Sequence, residues 1–412
     1  MSIKISDICD INSSNISSKD NYEFINYLDT SNLTEGVIDT LQKLVVGEDK
    51  IPSRAKRKVK KNDVLISTVR PNQKHYGILR KLKENLIVST GFVVLSAKED
   101  IVDAEYLYRY LTQDSITNYL QAIGETSTSA YPSIKPSDIG SLEIELPQLE
   151  EQKAIAKVLL DLDKKIEINN KINKKLEEMA QAIFKQWFVD FEFPNEDGKP
   201  YKSSGGEMVE SELGMIPKGW EVTKIGECCK IIRGASPRPI QDFIDDKGMP
   251  WLKISDASDS NSKYILNIKE YIKEEGIAKS RKVSEGTLVL SNSATPGIAK
   301  IMLTEACVHD GWLIFSEYKN ISKEYIYCYL VRARERILTL SNGSVFRNLK
   351  TDILKNYPVI IPQQDVLIKA TELLISINEN IEKNVKENRI IENIRSVLLP
   401  KLMLGEIRVA MD

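Results

Sequence analysis

Twelve cationic side chains between Lys50 and Lys83 are opposed within that stretch by a single acid, Asp63. They are Lys50, Arg54, Lys56, Arg57, Lys58, Lys60, Lys61, Arg70, Lys74, Arg80, Lys81 and Lys83. A strip of one sign suits a polyanion, because fixed positive charge concentrates its counter-ion and displaces the small cations bound to it. Within the strip, Arg70-Pro71-Asn72-Gln73-Lys74-His75-Tyr76 combines a stiff turn with Arg, Asn and Gln. Those side chains can hold a base edge through two hydrogen bonds at once. Arg70, Asn72, Gln73, Lys74 and Tyr76 are therefore candidate contacts, although a merely solvated basic loop has the same composition.

The second half of the chain holds comparable but weaker candidates. Arg233-Gly234-Ala235-Ser236-Pro237-Arg238 offers Arg233, Ser236 and Arg238, while Asn292-Ser293-Ala294-Thr295-Pro296-Gly297 offers Asn292, Ser293 and Thr295. Two further polar loops, one in each half, carry Thr126, Ser127 and Thr128, and Ser344 and Arg347. Hydroxyls, backbone N–H groups and an arginine can meet phosphate oxygens, and plain turns would look alike.

Signals for catalysis are sparse. His75 and His309 are the only histidines, and neither belongs to an H-E-x-x-H spacing. No G-x-x-x-x-G-K-[ST] loop, G-x-S-x-G elbow or Asn-Pro-Pro-Tyr-like tetrad for a flipped adenine is found. Cys307-Val308-His309 supplies two ligands at most, too few for a metal site, and reads better as part of a buried strand. The pattern points to a recogniser without catalytic, metal or cofactor groups of its own, with any chemistry left to partners.

The elements that must position these loops come twice. Sliding the chain by 362 − 147 = 215 positions brings Pro147-Gln148 onto Pro362-Gln363, and Ile166, Glu167, Asn169, Lys171 and Asn173 onto the same residue types. In the first copy, steps of four and three give Ile155, Leu159, Leu162, Ile166, Asn169, Asn173, Leu176, Ala180, Ile183 and Trp187. The second gives Ala370, Leu374, Ile377, Ile381, Asn384, Asn388, Ile391, Arg395, Leu398 and Leu402. Both are heptad seams and predict long amphipathic helices. Paired antiparallel, Asn169 faces Asn388 and Asn173 faces Asn384, a polar layer that would fix register at some cost in stability.

Ahead of each seam lies a mixed segment. Val64-Leu65-Ile66-Ser67, Leu86-Ile87-Val88 and Gly91-Phe92-Val93-Val94-Leu95 read as strands, and Ala104 to Ala122 as helix. Thr287-Leu288-Val289-Leu290-Ser291 and Asp310-Gly311-Trp312 echo them, as Glu324-Tyr325-Ile326-Tyr327-Cys328-Tyr329-Leu330 echoes Glu105-Tyr106-Leu107-Tyr108-Arg109-Tyr110-Leu111. The alternating tyrosines are expected in the core. The fold class is therefore α+β, with two similar domains, a pair of long antiparallel coiled-coil helices and a pseudo-twofold internal repeat. Expected bounds are a first domain at 1–146, a helix at 147–190, a linker without a core of its own at 191–213, a second domain at 214–361 and a helix at 362–412.

At 412 residues the chain exceeds one ordinary core, and its net charge of −2 conceals the local strip. No run reaches the roughly 18 apolar residues of a membrane helix, and Met1-Ser2-Ile3-Lys4 lacks a signal-peptide pattern, so no membrane partner and a cytoplasmic location are expected. Five cysteines without C-x-x-C spacing suggest reduced, buried thiols.

These residues resemble the specificity subunits of type I restriction-modification systems. The resemblance runs through both domain-plus-helix copies, the Leu146-Pro147-Gln148-Leu149-Glu150-Glu151-Gln152 helix entry and Gln186-Trp187-Phe188-Val189-Asp190-Phe191 at its end. Ile216-Pro217-Lys218-Gly219-Trp220 and the Asp63-Val64-Leu65-Ile66-Ser67 strand carry it too. It implies two target recognition domains, each reading one half of a bipartite double-stranded DNA sequence, with the helix pair setting the gap. It further implies two docked modification (methyltransferase) subunits that bind S-adenosylmethionine, and restriction subunits joining through them. Trp187 is matched only by Leu402, and the first domain lacks the Ile-Pro-Lys-Gly-Trp lead. Two other classes remain: a duplicated coiled-coil scaffold without DNA specificity, separable by the salt dependence of DNA binding, and an enzyme with an unrecognised nuclease site, separable by metal-dependent cleavage.

Overall fold

Val64, Leu65, Ile66 and Ser67 are all buried, which is what a strand covered on both faces requires of a continuous apolar run. This strand is central to a four-stranded antiparallel sheet in the order Cys9–Ile11, Phe92–Ala97, Val64–Ser67, Tyr76–Ile78. A second four-stranded sheet runs Gln42–Val45, Phe24–Leu28, Leu86–Ser89, Ala55–Lys58. The computed structural model describes residues 2–127, 131–258, 262–340 and 348–409. The chain divides into two units, Met1–Lys165 with Ile390–Asp412, and Ile166–Arg389. The boundary falls inside each long helix, so each unit holds a stretch of both.

In the first unit, Ser2–Lys4 pairs antiparallel with Glu143–Glu145 and closes the domain end to end. The helices Ala104–Leu111 and Asp114–Glu125 cover the first sheet. The Asp103 carboxylate caps the former by accepting the Tyr106 N–H at 2.9 Å. Ile155, Ala156 and Leu159 of the helix Leu149–Phe188 enter this core together with Leu402 of the helix Gln364–Met403.

The second unit repeats the plan. Glu221–Lys224 pairs with Pro358–Ile361, and a five-stranded sheet runs Lys230–Arg233, Trp312–Ser316, Leu288–Ser291, Ala299–Met302, Tyr264–Ile265. Its first four strands follow the order of the first sheet in the other unit. A second five-stranded sheet runs Ile244–Asp245, Tyr271–Ile272, Met249–Leu252, Ala306–Val308, Arg281–Val283. The tyrosine repeat lies in the cores, with Tyr106 and Tyr325 buried, and both Tyr110 and Tyr329 donate their hydroxyls to the closing strand, to the carbonyls of Glu143 and Pro358. All five cysteines are buried, unbridged thiols.

Residues 191–213 depart from a bare connection. Phe191 and Phe193 are buried, Phe193 stacks between Tyr201 (4.6 Å) and Trp220 (5.1 Å), and Met208–Ser211 forms a hairpin with Gly214–Pro217. The apolar payload of Phe188, Phe191 and Phe193 outweighs the local turn signals of Asn195 to Gly206, and the segment becomes part of the second core.

Within the second unit the helices run antiparallel through buried amides. Asn169 Nδ2 donates to Asn388 Oδ1 and to Glu387 Oε2, both at 2.8 Å, and Asn384 Nδ2 donates to Asn173 Oδ1 at 2.8 Å. Asn388 in turn donates to Asn170 at 2.9 Å. Asn169→Ala alone strands buried amide partners and is expected to destabilise the pair by about 1–3 kcal/mol. Asn169→Leu with Asn388→Leu replaces both partners by apolar groups and is expected to raise stability instead. Urea midpoints of the two variants distinguish these signs; equal losses would mean that the amides do not act as a pair.

Candidate functional site

Alternation along Ala55–Lys58 turns Ala55 into the core and Lys56 to solvent, and leaves Arg57 half-buried. The Arg57 Nε is enclosed without a hydrogen-bond partner, and burial lowers the basicity of its guanidinium. The acid nearest in sequence, Asp63, is turned inward: its carboxylate accepts the Lys60 N–H at 2.8 Å and the Ser96 hydroxyl at 2.6 Å, and burial raises its pKa. Distant acids take its place against the strip. Lys58 meets Asp20 at 2.8 Å, Lys74 meets Asp114 at 2.8 Å and Glu35 at 3.4 Å, and Arg80 forks onto Glu105 at 2.6 and 2.9 Å. The expectation of a nearly unopposed strip is thus corrected for Lys58, Lys74 and Arg80. Arg54, Lys56, Lys60 and Lys61 remain exposed, with no ion pair among the described residues.

After the strand Val64–Ser67 the chain is held in an unusual loop. Arg70 (φ 49°) and Lys74 (φ 55°) are both left-handed and flank the short helical turn Pro71–Gln73. Such residues cost on the order of 1–3 kcal/mol each and persist where surrounding structure holds them. The restraints are visible: the Arg70 N–H donates to Pro132 O at 2.9 Å, its guanidinium lies 4.4 Å from the Tyr131 ring, and the Asn72 N–H donates to Gln121 Oε1 at 3.2 Å. Asn72 and Gln73 project from the tip as exposed side chains. Tyr76 does not join them. It packs edge-on against Tyr108 at 6.3 Å, on the core side. Thr126 closes the helix Asp114–Glu125 by donating to Ile123 O at 2.7 Å, and Ser127 receives the Ser133 hydroxyl at 3.4 Å. Thr128 lies outside the described residues, as do Ser344 and Arg347.

In the second unit one carboxylate gathers the candidates. Asp310 accepts the Ser236 hydroxyl at 2.8 Å and lies 3.7 Å from Arg233 and 3.5 Å from Arg238. Arg233 Nε donates to the Asp310 carbonyl at 2.6 Å, as does Asn292 Nδ2 at 3.4 Å. Burial pushes this carboxyl up, but the Ser236 hydroxyl and the charge of Arg233 outweigh it and hold Asp310 below its ordinary range. A Cβ at Gly234 would sit 2.1 Å from His309 O, so only glycine lets the two strands' ends approach this closely. Asn292 is buried with its Oδ1 unpartnered, whereas Ser293 is half-buried and Thr295 exposed, on the turn whose Thr295 carbonyl accepts from Ser291 at 2.6 Å.

Ser236, Arg238, Trp251, Lys253, Ser293 and His309 share the lining of one open cleft of about 810 Å³. Asp310, Trp251 and Lys253 were not singled out by sequence. The only signal for Asp310 was its place before Gly311-Trp312, in the echo of Thr90-Gly91-Phe92.

The family model for the type I restriction modification DNA specificity domain matches residues 1–178 and 217–387, one match on each domain with its following helix. The chain is similar over 87% of its length to 89% of the HindI specificity subunit of Haemophilus influenzae, at 26% identity. It is 30% identical to the MjaIX specificity subunit of Methanocaldococcus jannaschii, over 81% of this chain and 76% of that one. The crystal structure of a type I restriction-modification S subunit from M. genitalium shares the fold, with a TM-score of 0.57 at 14% identity over 100% and 96% of the two chains.

His309 provides a test of the cleft's electrostatics. Its Nδ1 accepts the Gly311 N–H at 2.7 Å, which requires the neutral ring, and burial lowers its pKa although Asp310 opposes the shift. The unfolded chain then takes up a proton first as pH falls below the ordinary 6.5, so this residue makes stability fall from that point down to the lowered folded value. His309→Phe is expected to flatten the pH dependence of the melting temperature in that window; an unchanged slope would show that the ring titrates normally.

Proposed function

This chain belongs to the family of type I restriction-modification DNA specificity subunits, and we propose that each of its domains reads one half of a bipartite duplex target. The carrying observation is the matched placement of polar loops after equivalent central strands. Arg70, Asn72 and Gln73 follow Val64–Ser67 in one unit, and Asn292 and Ser293 follow Leu288–Ser291 in the other. In the second unit the same end of the sheet carries Arg233, Ser236 and Arg238, oriented by Asp310 beside the cleft. Guanidinium and amide groups held by a second group are preorganised for two-point contact with base edges, whereas Arg54, Lys56, Lys60 and Lys61 suit phosphates.

The reading assigns no catalytic role to this chain. Methyl transfer and S-adenosylmethionine belong to modification subunits, two of which dock here, and restriction subunits join through them in the cytoplasm. No helix of the described residues is long and apolar enough to cross a membrane. Exposed apolar residues on the helices support docking. Ile168, Ile172 and Met179 form one row on Leu149–Phe188, and Ile390, Ile394 and Val397 another on Gln364–Met403. Rows at helical spacing left in solvent are characteristic of an interaction face.

Lys56→Ala with Lys60→Ala and Lys61→Ala is expected to weaken binding to all DNA alike and to flatten the salt slope by about 0.9 per lost phosphate contact. Gln73→Ala is expected to act differently, lowering discrimination at one half-site by roughly 1–3 kcal/mol per lost bidentate contact. Anisotropy titrations of the assembled complex across salt, on target and random duplexes, separate the two effects. Losses by Gln73→Ala that are equal on both duplexes would move it to phosphate positioning. For docking, Ile168→Asp with Ile172→Asp should abolish co-purification of a modification subunit while leaving the melting temperature near that of the parent. Retained co-purification would place the docking face elsewhere.

A further inference from the structure

Each domain meets its stretch of the helix pair through a buried cation, and the two arrangements occupy corresponding places in the repeat. In the first unit, Arg109 is 7% exposed and donates from Nη2 to Asp163 Oδ2 at 2.5 Å. Its guanidinium lies 5.4 Å from the ring of Tyr108, and Nε donates to Glu105 Oε1 at 3.1 Å. The second helix adds Arg395, whose Nη1 donates to Asp163 Oδ1 at 2.5 Å. One carboxylate thus joins the domain, the first helix and the second helix of that unit.

In the second unit, the 215-residue offset brings Asp163 onto Asn378, since 163 + 215 = 378, and the tyrosine repeat brings Tyr108 onto Tyr327 and Arg109 onto Cys328. The cation has been lost from its position in the repeat but not from the space. Lys263, 3% exposed, donates from Nζ to Asn378 Oδ1 at 2.6 Å and lies 4.0 Å from the Tyr327 ring. Its backbone N–H donates to Glu177 Oε1 of the other helix at 3.2 Å, so both helices are engaged again.

A buried charge is costly unless paired and hydrogen-bonded, and removal of one partner is strongly destabilising. Such a group tolerates few poses of its surroundings, in contrast to an apolar contact, which can slide. We infer that Arg109 with Asp163, and Lys263 with Asn378, are positioning residues that lock each recognition domain in one pose on its helix stretch, and thereby fix where its reading loops fall along the DNA. This rests on the reading of each domain as a half-site reader. These residues touch no base; they set the sharpness of the spacing, while the loops set the sequence.

The test uses the full complex with modification subunits, scored by methylation of a duplex library with fixed half-sites and varied gap. Lys263→Met keeps the aliphatic stem and removes the charge. It is expected to lower the ratio of methylation at the preferred gap to that at neighbouring gaps by about tenfold or more, the equilibrium equivalent of one hydrogen bond to a charged group. The half-site bases preferred should stay the same, and Lys263→Arg should keep the parental profile. Asp163→Asn, which gives the first socket the amide of the second, should broaden the profile by a smaller factor. If Lys263→Met does not fold, Asp163→Asn and Lys263→Arg decide the matter. An unchanged gap profile in a folded variant, or a change of preferred bases, overturns the positioning role alone. A parent complex that shows no half-site preference would instead overturn the half-site reading, and this inference with it.

Discussion

Buried amide pairing between the two long helices is the constraint on which the remainder of the chain depends. A pair of helices whose seam is apolar throughout can shift by a heptad at little cost, since one leucine layer resembles the next. Asn169, Asn173 and Asn388, which are buried, and the half-buried Asn384 remove that freedom in the second unit, because each finds an amide or carboxylate partner across the pair. With the register held, Val366, Leu367, Ala370 and Leu374 fall beneath the second domain and complete its core. The first domain depends on the far end of the chain in the same way, as Leu402 completes a core built otherwise from residues 5 to 159.

Charge is arranged on a similar principle of selective cancellation. Lys58, Lys74 and Arg80 are matched by acids that come from elsewhere in the fold, which removes part of the strip's field and stiffens the side chains that remain near it. Exposed pairs of this kind contribute little to stability. Their effect is better understood as orientation: a lysine held by a carboxylate has its charge matched and its direction set, whereas Arg54, Lys56, Lys60 and Lys61 are exposed and have no ion pair among the described residues. Asp310 does the converse in the second unit, where one acid holds Arg233 and Arg238 at the mouth of the cleft. An unpaired arginine offers charge alone; a held one also offers a direction.

Periodicity and duplication were legible in the sequence because both depend on local spacing. The heptad seams gave both 40-residue helices, the apolar runs gave the central strands, and the tyrosine repeat was correctly placed in the cores. What was illegible depends on partners that are close only in space. Asp20, Asp114 and Glu105 neutralise the strip from positions 25 to 40 residues distant in the chain, which no count within a window detects. Tyr76 read as a surface ring because its strand flanks a basic loop, but the pleat turns it toward Tyr108. Residues 191–213 read as a linker because turn residues outnumber aromatic ones there, although two buried rings, Phe191 and Phe193, packed on Trp220 decide the energetics.

The two cation sockets show what duplication preserves. Had the second copy kept an arginine at Cys328, an acid at position 378 would have been its natural partner. With a thiol at 328 and an amide at 378, a lysine from the strand-leading segment at Tyr264–Ile265 occupies the same space from another direction. The amide cannot neutralise that charge, so the ring of Tyr327 and the Glu177 carboxylate have to stabilise it, and burial holds Lys263 below the ordinary lysine range. The first socket is an ion pair in which one carboxylate receives two arginines. The second is a desolvated cation held by an amide oxygen and an aromatic ring. Two domains alike in topology therefore meet their helices through different chemistry, an ion pair in one and a desolvated lysine in the other, where Cys328 and Asn378 stand in place of Arg109 and Asp163.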